Sequence, residues 1–557
     1  MKSICRALAV GASVAMLISS PGYGQSKSSV PQNWQLLSYG ADSLYGIGVE
    51  KAYRELLAGK TGKTVIVAVI DSGVDTTHED LRSILWKNPK EIPGNNIDDD
   101  GNGYVDDIYG WNFLGAKDGS SVKEDSDEAT REFYRYKRLY GNPDSALQPG
   151  SKEYAYWTRL KDRSQKPSTQ AKTDYKMMLK VQENLLKCET VLTEYLKTND
   201  FSKAQLDTLR SGDSDVMFAR GFALRLLGST GEDGATYQGL KNDLAEYIKE
   251  LKKKAEVTGA EPTDKRSTIV GDNLNDINDR YYGNSDVMGQ FAFHGTHVSG
   301  IIGAVRGNST GMDGVADNVR IMTVKVVPEG DERDKDVALG IRYAVDNGAQ
   351  IINMSFGKGF SPQKAWVDDA IRYAQEKGVL LVHAAGNDGA NNDQTENYPK
   401  DTFEDGKEAD NMITVGASGN GRTGSKIAGF SNYGKKEVDV FAPGVQIYST
   451  VPGGDKYGSA SGTSMASPVV AGLAAMILSY YPDLSARQLK QIIEKSATPV
   501  PNGEKVNKPG TKDEEVDFSE LSKSGGIVNA YEALKLAAKT KGENAKKNNA
   551  KVKLKKD

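Results

Sequence analysis

Three residues have the types needed to build an activated nucleophile: Asp71 in VAVIDSGVD, His294 in FHGTHVSG and Ser464 in SGTSMASP. A serine hydroxyl attacks poorly at neutral pH. It needs a base within hydrogen-bond reach and a buried carboxylate that holds that base in one tautomer. The chain has four histidines, His78, His294, His297 and His383, so the base has few candidates. His294 leads, because Gly295 and the small residues after it let a helix begin there, with Val298, Ile301 and Ile302 as its buried face. His297 then lies one turn further in, as a hydrogen-bonded structural residue. A metal pair at His294 and His297 lacks both an HExxH motif and a cysteine ligand.

Around Ser464, the residues Gly462, Ala466 and Ser467 leave the backbone uncrowded. Pro468 is tolerable if it falls in the first turn of the helix that continues as AGLAAMIL. The nucleophile then sits at a helix N-terminus, where the dipole favours developing negative charge. Acyl transfer also needs donors aimed at an oxyanion. Asn387 in AAGNDG follows the apolar run VLLV, and its side-chain NH₂ together with the Ser464 N–H would form that hole, with Gly386 permitting close approach. A nucleophile elbow of the α/β-hydrolase kind also places serine between small residues, but that fold puts serine first, and no histidine follows Ser464.

These groups must be positioned by a scaffold. Residues 64–70 (TVIVAVI) form a continuous β-branched run, the pattern of a strand buried on both faces, and Asp71 follows directly. Similar runs recur at 321–327, 351–354, 379–382, 412–415 and 438–441, with helical patterns such as DVALGIRYAVDNG and KAWVDDAIRYAQEKG between them. The alternation predicts an α/β fold, a doubly wound, mostly parallel sheet flanked by helices. Asp71, Ser355 and Asn387 all fall at or just past strand ends, the edge where such sheets collect function.

The remaining sequence sets bounds. With 71 Lys+Arg against 75 Asp+Glu, no global charge favours nucleic acid. Residues 1–24, with Lys2 and Arg6, an apolar run at 7–18 and Gly22-Tyr23-Gly24, read as a secretory signal, which predicts export to the periplasm or the medium. No later segment reads as long and apolar enough to span a membrane. Cys5 leaves with that signal, so Cys188 has no partner and is expected buried and structural. The catalytic domain is expected over 25–540, interrupted by a helical insertion at 126–280. There Met178, Val181, Leu185, Cys188, Leu192 and Tyr195 mark one amphipathic helix, and Leu240, Leu244, Tyr247, Ile248 and Leu251 a second. Three readings of the insertion stand open: decoration, gating of a cleft, or docking of a partner. The Lys-rich tail, 541–557, is expected disordered. GKTGKT at 59–64 imitates a phosphate loop, but Leu57 stands where the first glycine is required and a strand follows, so it reads as a turn. In IDDDGNGYVDD, Asp98, Asp100, Asn102 and Gly103 match the first half of a calcium loop, to which Tyr104 could add its carbonyl and Asp106 or Asp107 a carboxylate. Tyr109 at the twelfth position excludes a true EF-hand.

Together these segments resemble the subtilases, the subtilisin-like serine peptidases. The order Asp, His, Ser is the one that fold uses. The likeness covers most of 64–114 and 291–534, including INMSFG, AAGNDG, Tyr398-Pro399, GFSNYG, VFAPG, GTSMASP and GGIVNAYEAL. It implies an endopeptidase acting on polypeptides, with Ser355, Phe356 and Gly357 offering backbone to an extended substrate and, with Ala385, Gly386 and Asn387, lining the primary specificity pocket. Asp388 at its rim would favour a basic residue there. The resemblance further implies structural Ca²⁺ and no organic cofactor. A second calcium site would use Asp80, Asn308 and the carbonyls of Val305, Thr310 and Met312. Two departures stand out: the separation of 223 positions from Asp71 to His294, and only about forty residues from Gln25 to the first strand, which predicts folding without an inhibitory prodomain. A catalytically silent protein of this fold, binding through the insertion, is the alternative.

Overall fold

The computed structural model describes residues 30–165, 169–229, 236–255, 261–290, 292–422, 425–500 and 505–544. The expected export signal lies outside them, as does the expected tail beyond residue 544. The strands are β1 (Val65–Asp71), β2 (Gly110–Asn112), β3 (Val319–Lys325), β4 (Ile351–Met354), β5 (Leu380–Ala384), β6 (Met412–Ser418) and β7 (Val440–Pro443), then a hairpin of β8 (Ile447–Val451) and β9 (Lys456–Ala460). The helices that bear on the site are α1 (Glu128–Tyr140), α2 (Thr169–Leu196), α3 (Ser214–Ser229), α4 (Tyr237–Ala255), α5 (Phe293–Gly303), α6 (Asp334–Asp346), α7 (Lys364–Lys377) and α8 (Thr463–Tyr480).

Strands β1 to β7 make one sheet in the order β2-β3-β1-β4-β5-β6-β7, all parallel, which is the expected doubly wound arrangement. Side chains alternate across a strand, so β1 feeds two cores. Val65, Val67 and Val69 join Val298, Ile301 and Ile302 of α5 and Val469 and Leu473 of α8 on one face. Ala68 and Ile70 join Val324, Val337, Ile341 and Ile371 with α6 and α7 on the other. Each fully buried Val, Leu or Ile contributes about 1.5–3 kcal/mol relative to exposure, and both faces demand the same pleat, so a one-residue slip is strongly disfavoured. With β3 on one side of β1 and β4 on the other, the chain winds in opposite directions from β1. Its carboxyl end is therefore a crevice, and Asp71 stands there.

Between β2 and α5 the chain leaves the sheet. Helices α2, α3 and α4 enclose a separate apolar cluster containing Met178, Leu185, Cys188, Leu192, Leu227, Leu240, Leu244, Ile248 and Leu251. Both amphipathic helices read from the sequence are present, although Tyr195 is 46 % exposed and donates its hydroxyl to Arg210 O instead of packing. Cys188 is buried, which pushes its thiol pKa up. Helix α1 is fixed to the sheet by a buried ion network: Lys358 Nζ lies 2.7 Å from Glu128 and 2.8 Å from Asp334, and Arg131 lies 2.8 Å from Glu128. Removing one member would strand its partners uncompensated, so this end of the insertion is rigidly seated.

Among the described residues α8 is long and apolar enough to cross a membrane by composition, contrary to the sequence reading, but 89 % of it is buried inside the protein. It is the central core helix, apolar all round because it is surrounded.

Candidate active site

Asp71 ends β1, and its Oδ1 accepts from the Ser72 amide at 2.7 Å and from His294 Nδ1 at 2.8 Å. His294 is the second residue of α5. Its approach depends on Gly295, where a Cβ would lie 2.2 Å from Gly73 O and 3.3 Å from Asp71 Cβ. Burial pushes the imidazole pKa down, but the Asp71 charge and hydrogen bond outweigh it and raise the pKa overall. With Nδ1–H committed to Asp71, Nε2 is the nitrogen available to exchange a proton with a nucleophile.

The other three histidines are structural. His297 Nε2 pairs with Gly458 O at 3.1 Å and burial holds its pKa down to about 3. His383 Nε2 pairs with Phe356 O at 2.8 Å, with its pKa held to about 4 by burial. His78 Nδ1 accepts from the Asp80 amide and its Nε2 donates to Lys456 O at 2.8 Å. His383 thus props the segment Ser355, Phe356 and Gly357 from beneath.

Ser464 is the second residue of α8, with its Oγ donating to Ser355 O at 2.9 Å. Among the described residues no hydrogen bond joins it to His294. The helix begins at Thr463, which puts Pro468 in the second turn and not the first. Pro468 has no amide proton, so the Ser464 carbonyl four residues earlier loses its helical partner. Ser355 Oγ supplies the missing donor at 3.0 Å, itself held by Asn353 Nδ2 at 2.9 Å and Ser467 Oγ at 2.8 Å. Sequence reasoning gave Ser355 only a backbone role; its side chain locks the nucleophile turn.

Asn387 is oriented by Thr463, whose amide and hydroxyl both donate to its Oδ1, at 2.9 and 3.0 Å. Its NH₂ is thereby turned the other way. A Cβ built on Gly462 would sit 3.5 Å from Asn387 Nδ2 and 3.6 Å from Ser464 N, so both donors border the same glycine. Gly386 takes φ +103°, and a Cβ there would meet Asn432 Nδ2 at 2.5 Å. Asn432 Oδ1 in turn accepts from the amides of Asp388 and Ala390, and Asn397 and Asn392 donate to Ala385 O. Thr463 and Asn432 were missed from the sequence; the polar residues bracketing GNDG and GTS were the only signal.

In the acidic loop, carboxylate oxygens of Glu91, Asp98 and Asp100 lie within 4.8 Å of one another. Glu91 falls outside the motif and was missed. It is drawn in because its carboxylate accepts from the amides of Asp99, Asp100 and Asp106. Asn102 sits above the cluster with its amide bonded to Asp98 and Asp100, and its Oδ1 accepts from Tyr104 N. Asp106 is directed elsewhere, accepting from Gly94 and Asn96 amides. Asp107 accepts from Tyr343, Asn88 and Asn102, and burial raises its pKa to about 6. At the second expected site, Asp80 accepts from Asn308 Nδ2 at 2.6 Å, Tyr457 at 3.1 Å and Met312 N at 3.4 Å, while Asn308 Oδ1 accepts from Thr310 N and Val305 N donates to Asp80 O.

Against known proteins, a family model described as the subtilase family matches residues 62–519. Subtilisin DY from Bacillus licheniformis is 43 % identical over 209 residues, covering 37 % of this chain and 70 % of that one. A thermophilic serine proteinase from Bacillus sp. (strain AK1) is 42 % identical over 205 residues, again 37 % of this chain, and the match spans about half, 46 %, of that relative's length. Among solved structures, the protease domain of PatA is similar over 45 % of this chain and 82 % of its own, at 27 % identity and a TM-score of 0.36.

Proposed function

The chain belongs to the subtilase family of serine-type endopeptidases, and from that premise we propose that it hydrolyses internal peptide bonds of exported or extracellular polypeptides through an acyl-enzyme formed on Ser464. The observation that carries this reading is the 2.8 Å hydrogen bond that orients His294 on Asp71, supported by two donors, Asn387 Nδ2 and Ser464 N, bordering Gly462. Ser464 Oγ turns from Ser355 O towards His294 Nε2, gives up its proton and attacks the carbonyl. The oxyanion settles between Asn387 and the Ser464 amide. His294, now charged and stabilised by Asp71, returns the proton to the leaving amine. A water then repeats the sequence in reverse order of partners and frees Ser464. The acyl half of the substrate lies along Ser355, Phe356 and Gly357, with its side chain towards Ala385 and Gly386, and Asp388 at the rim favours a basic one.

Calcium in this reading is structural. Glu91, Asp98 and Asp100 fit a divalent cation, since three carboxylates drawn this close repel one another without one; Asn102 bonds to Asp100 and Asp107, and the Tyr104 carbonyl is proposed as a further ligand. Bound there, the ion would staple the loop between β1 and β2. The Asp80 group is the weaker of the two proposed sites, because it offers a single carboxylate where the first gathers three. Export through residues 1–24, and a helical insertion bounded near 126 and 280, complete the proposal.

The test compares wild type with Ser464→Ala on casein and on a peptide library varied at the residue before the scissile bond. Cleavage by the wild type alone is expected. Two equally inactive, folded proteins would favour the silent binding protein instead, and no advantage for Lys or Arg would remove the role given to Asp388.

A further inference from the structure

The inserted helix α4 makes direct contact with the strand that delivers the nucleophile. Strand β9 pairs with β8 along one edge, and α4 lies along the other. Asn242 Nδ2 donates to Ser459 O at 2.8 Å. Asp243 accepts from the Ser461 amide at 2.8 Å, from the Ser461 hydroxyl at 3.1 Å and from Gln446 Nε2 at 2.7 Å, and its side chain is buried by this docking. The helix backbone is close as well: a Cβ built at Gly239 would lie 3.2 Å from Ser459 Cβ. Two turns further along, Glu246 and Lys249 are near enough to act electrostatically on the His294 imidazole, which is left 20 % exposed. Lys249 then reaches Glu329 at 3.4 Å.

The direction in which a substrate runs follows from the chemistry. The oxyanion point and Ser355, Phe356 and Gly357 fix the acyl half on one side of Ser464. His294 must protonate the departing nitrogen, so the leaving chain passes His294 and the residues that approach Ser464 from Ser459. An extended leaving segment would seek the outward-facing backbone of β9, as added strands do. That backbone is already occupied: Ser459 O by Asn242 and Ser461 N by Asp243. We propose that α4 is a selectivity wall over the leaving-group side of the cleft, admitting short leaving segments and excluding long ones until the helix is displaced. This rests on the endopeptidase reading given above and adds a substrate class to it, polypeptides cut where little chain follows the scissile bond.

Two variants and a matched peptide series test it in the full chain. The peptides share one acyl half and carry either p-nitroaniline, two residues or about eight residues beyond the scissile bond, the last spanning roughly 27 Å when extended. Wild type is expected to lose at least about tenfold in kcat/KM from the two-residue to the eight-residue peptide, and Asp243→Ala to recover most of it. The pair Gly239→Cys with Ser459→Cys provides a reversible lock once the Gln446 side-chain oxygen, 2.4 Å from the built Cβ, turns aside, since the Cβ separation of 3.2 Å is slightly under the roughly 3.5–4.5 Å that disulfides use. Oxidised, it should keep p-nitroanilide turnover within about threefold of its reduced form and lose the long peptide by more than about tenfold; reduction should restore it. Equal turnover of long and short peptides by wild type would overturn the proposal. So would an equal loss of both in the oxidised lock, or a pair that does not cross-link. If wild type turns over no p-nitroanilide, the endopeptidase reading itself fails, a different result from length independence.

Discussion

The pairing of Ser355 with the carbonyl freed by Pro468 makes a quantitative expectation. Replacing Ser355 with Ala removes the one side chain among the described residues that donates to Ser464 O and leaves that carbonyl without it in the core, with the losses to Asn353 and Ser467 added. A buried acceptor stranded in this way costs about 1–3 kcal/mol. Replacing Pro468 with Ala returns a backbone N–H four residues after Ser464, aimed at the same carbonyl, so in that background Ser355 is no longer needed for it. The two substitutions should therefore be non-additive: Ser355→Ala costs about 2 kcal/mol alone and under about 1 kcal/mol alongside Pro468→Ala, a coupling of about 1 kcal/mol or more. The assay is equilibrium urea unfolding of all four combinations in a Ser464→Ala background. That background stops self-digestion without touching the carbonyl, and the unfolded-state entropy of losing proline cancels around the cycle. Strict additivity within about 0.3 kcal/mol would refute the claim that one hydroxyl replaces the helical donor.

Asn387→Ala should lower kcat by about a hundred- to thousandfold with little change in KM, the range already known for one oxyanion donor in this family; a loss confined to KM would reassign Asn387 to substrate binding. Because Asp71 raises the His294 pKa and catalysis needs the neutral ring, the acid limb of kcat/KM should lie above the ordinary histidine value of about 6.5 and move down in Asp71→Asn. The Asp71–His294 pair has the opposite sign in stability, present in full below that value and lost as pH rises through the raised one. His383 carries a depressed pKa, so its contribution is present above about 6.5 and lost as pH falls towards about 4, amounting to about 3 kcal/mol by linkage. A His383→Gln variant should flatten unfolding free energy over that window, and an unchanged slope would discount the buried neutral ring. Chelation should lower the melting temperature of wild type and leave a Glu91→Gln, Asp98→Asn variant unmoved; equal shifts in both would place the stabilising ion elsewhere.

What was legible in the sequence was what local rules dictate. The run at 64–70 shows as a strand because both of its faces are covered, and the strand indeed occupies Val65–Asp71. The three-residue β2 carries no period at all. The hairpin of β8 and β9, with sequences IYSTV and KYGSA, is too polar to read as buried. It becomes so only because Ser449 and Thr450 donate to the carbonyls of His297 and Thr296 on α5. The site shows the same division. Asp71, His294, Ser464 and Asn387 are marked by glycines and small neighbours that any sequence reader can see. Thr463, Asn432 and Glu91 act through hydrogen bonds whose partners are fixed only by the fold.

The long gap between Asp71 and His294 is tolerable for a reason the geometry supplies. Asp71 is held by β1, paired with β3 on one side and β4 on the other. His294 is held by α5, packed on α8 and β1. Neither depends on the chain between them for its place, and the intervening segment is clamped where it leaves and returns: Asn112 exchanges backbone hydrogen bonds with Asn284, and Trp111 Nε1 donates to Tyr282 O. Loop-closure cost grows only as the logarithm of length, so once the two ends are clamped the excursion adds little penalty. What it adds in function is decided by where its far end lands. It lands on Ser459 and Ser461, a few residues before Ser464, and the leaving-segment series discriminates between decoration and wall.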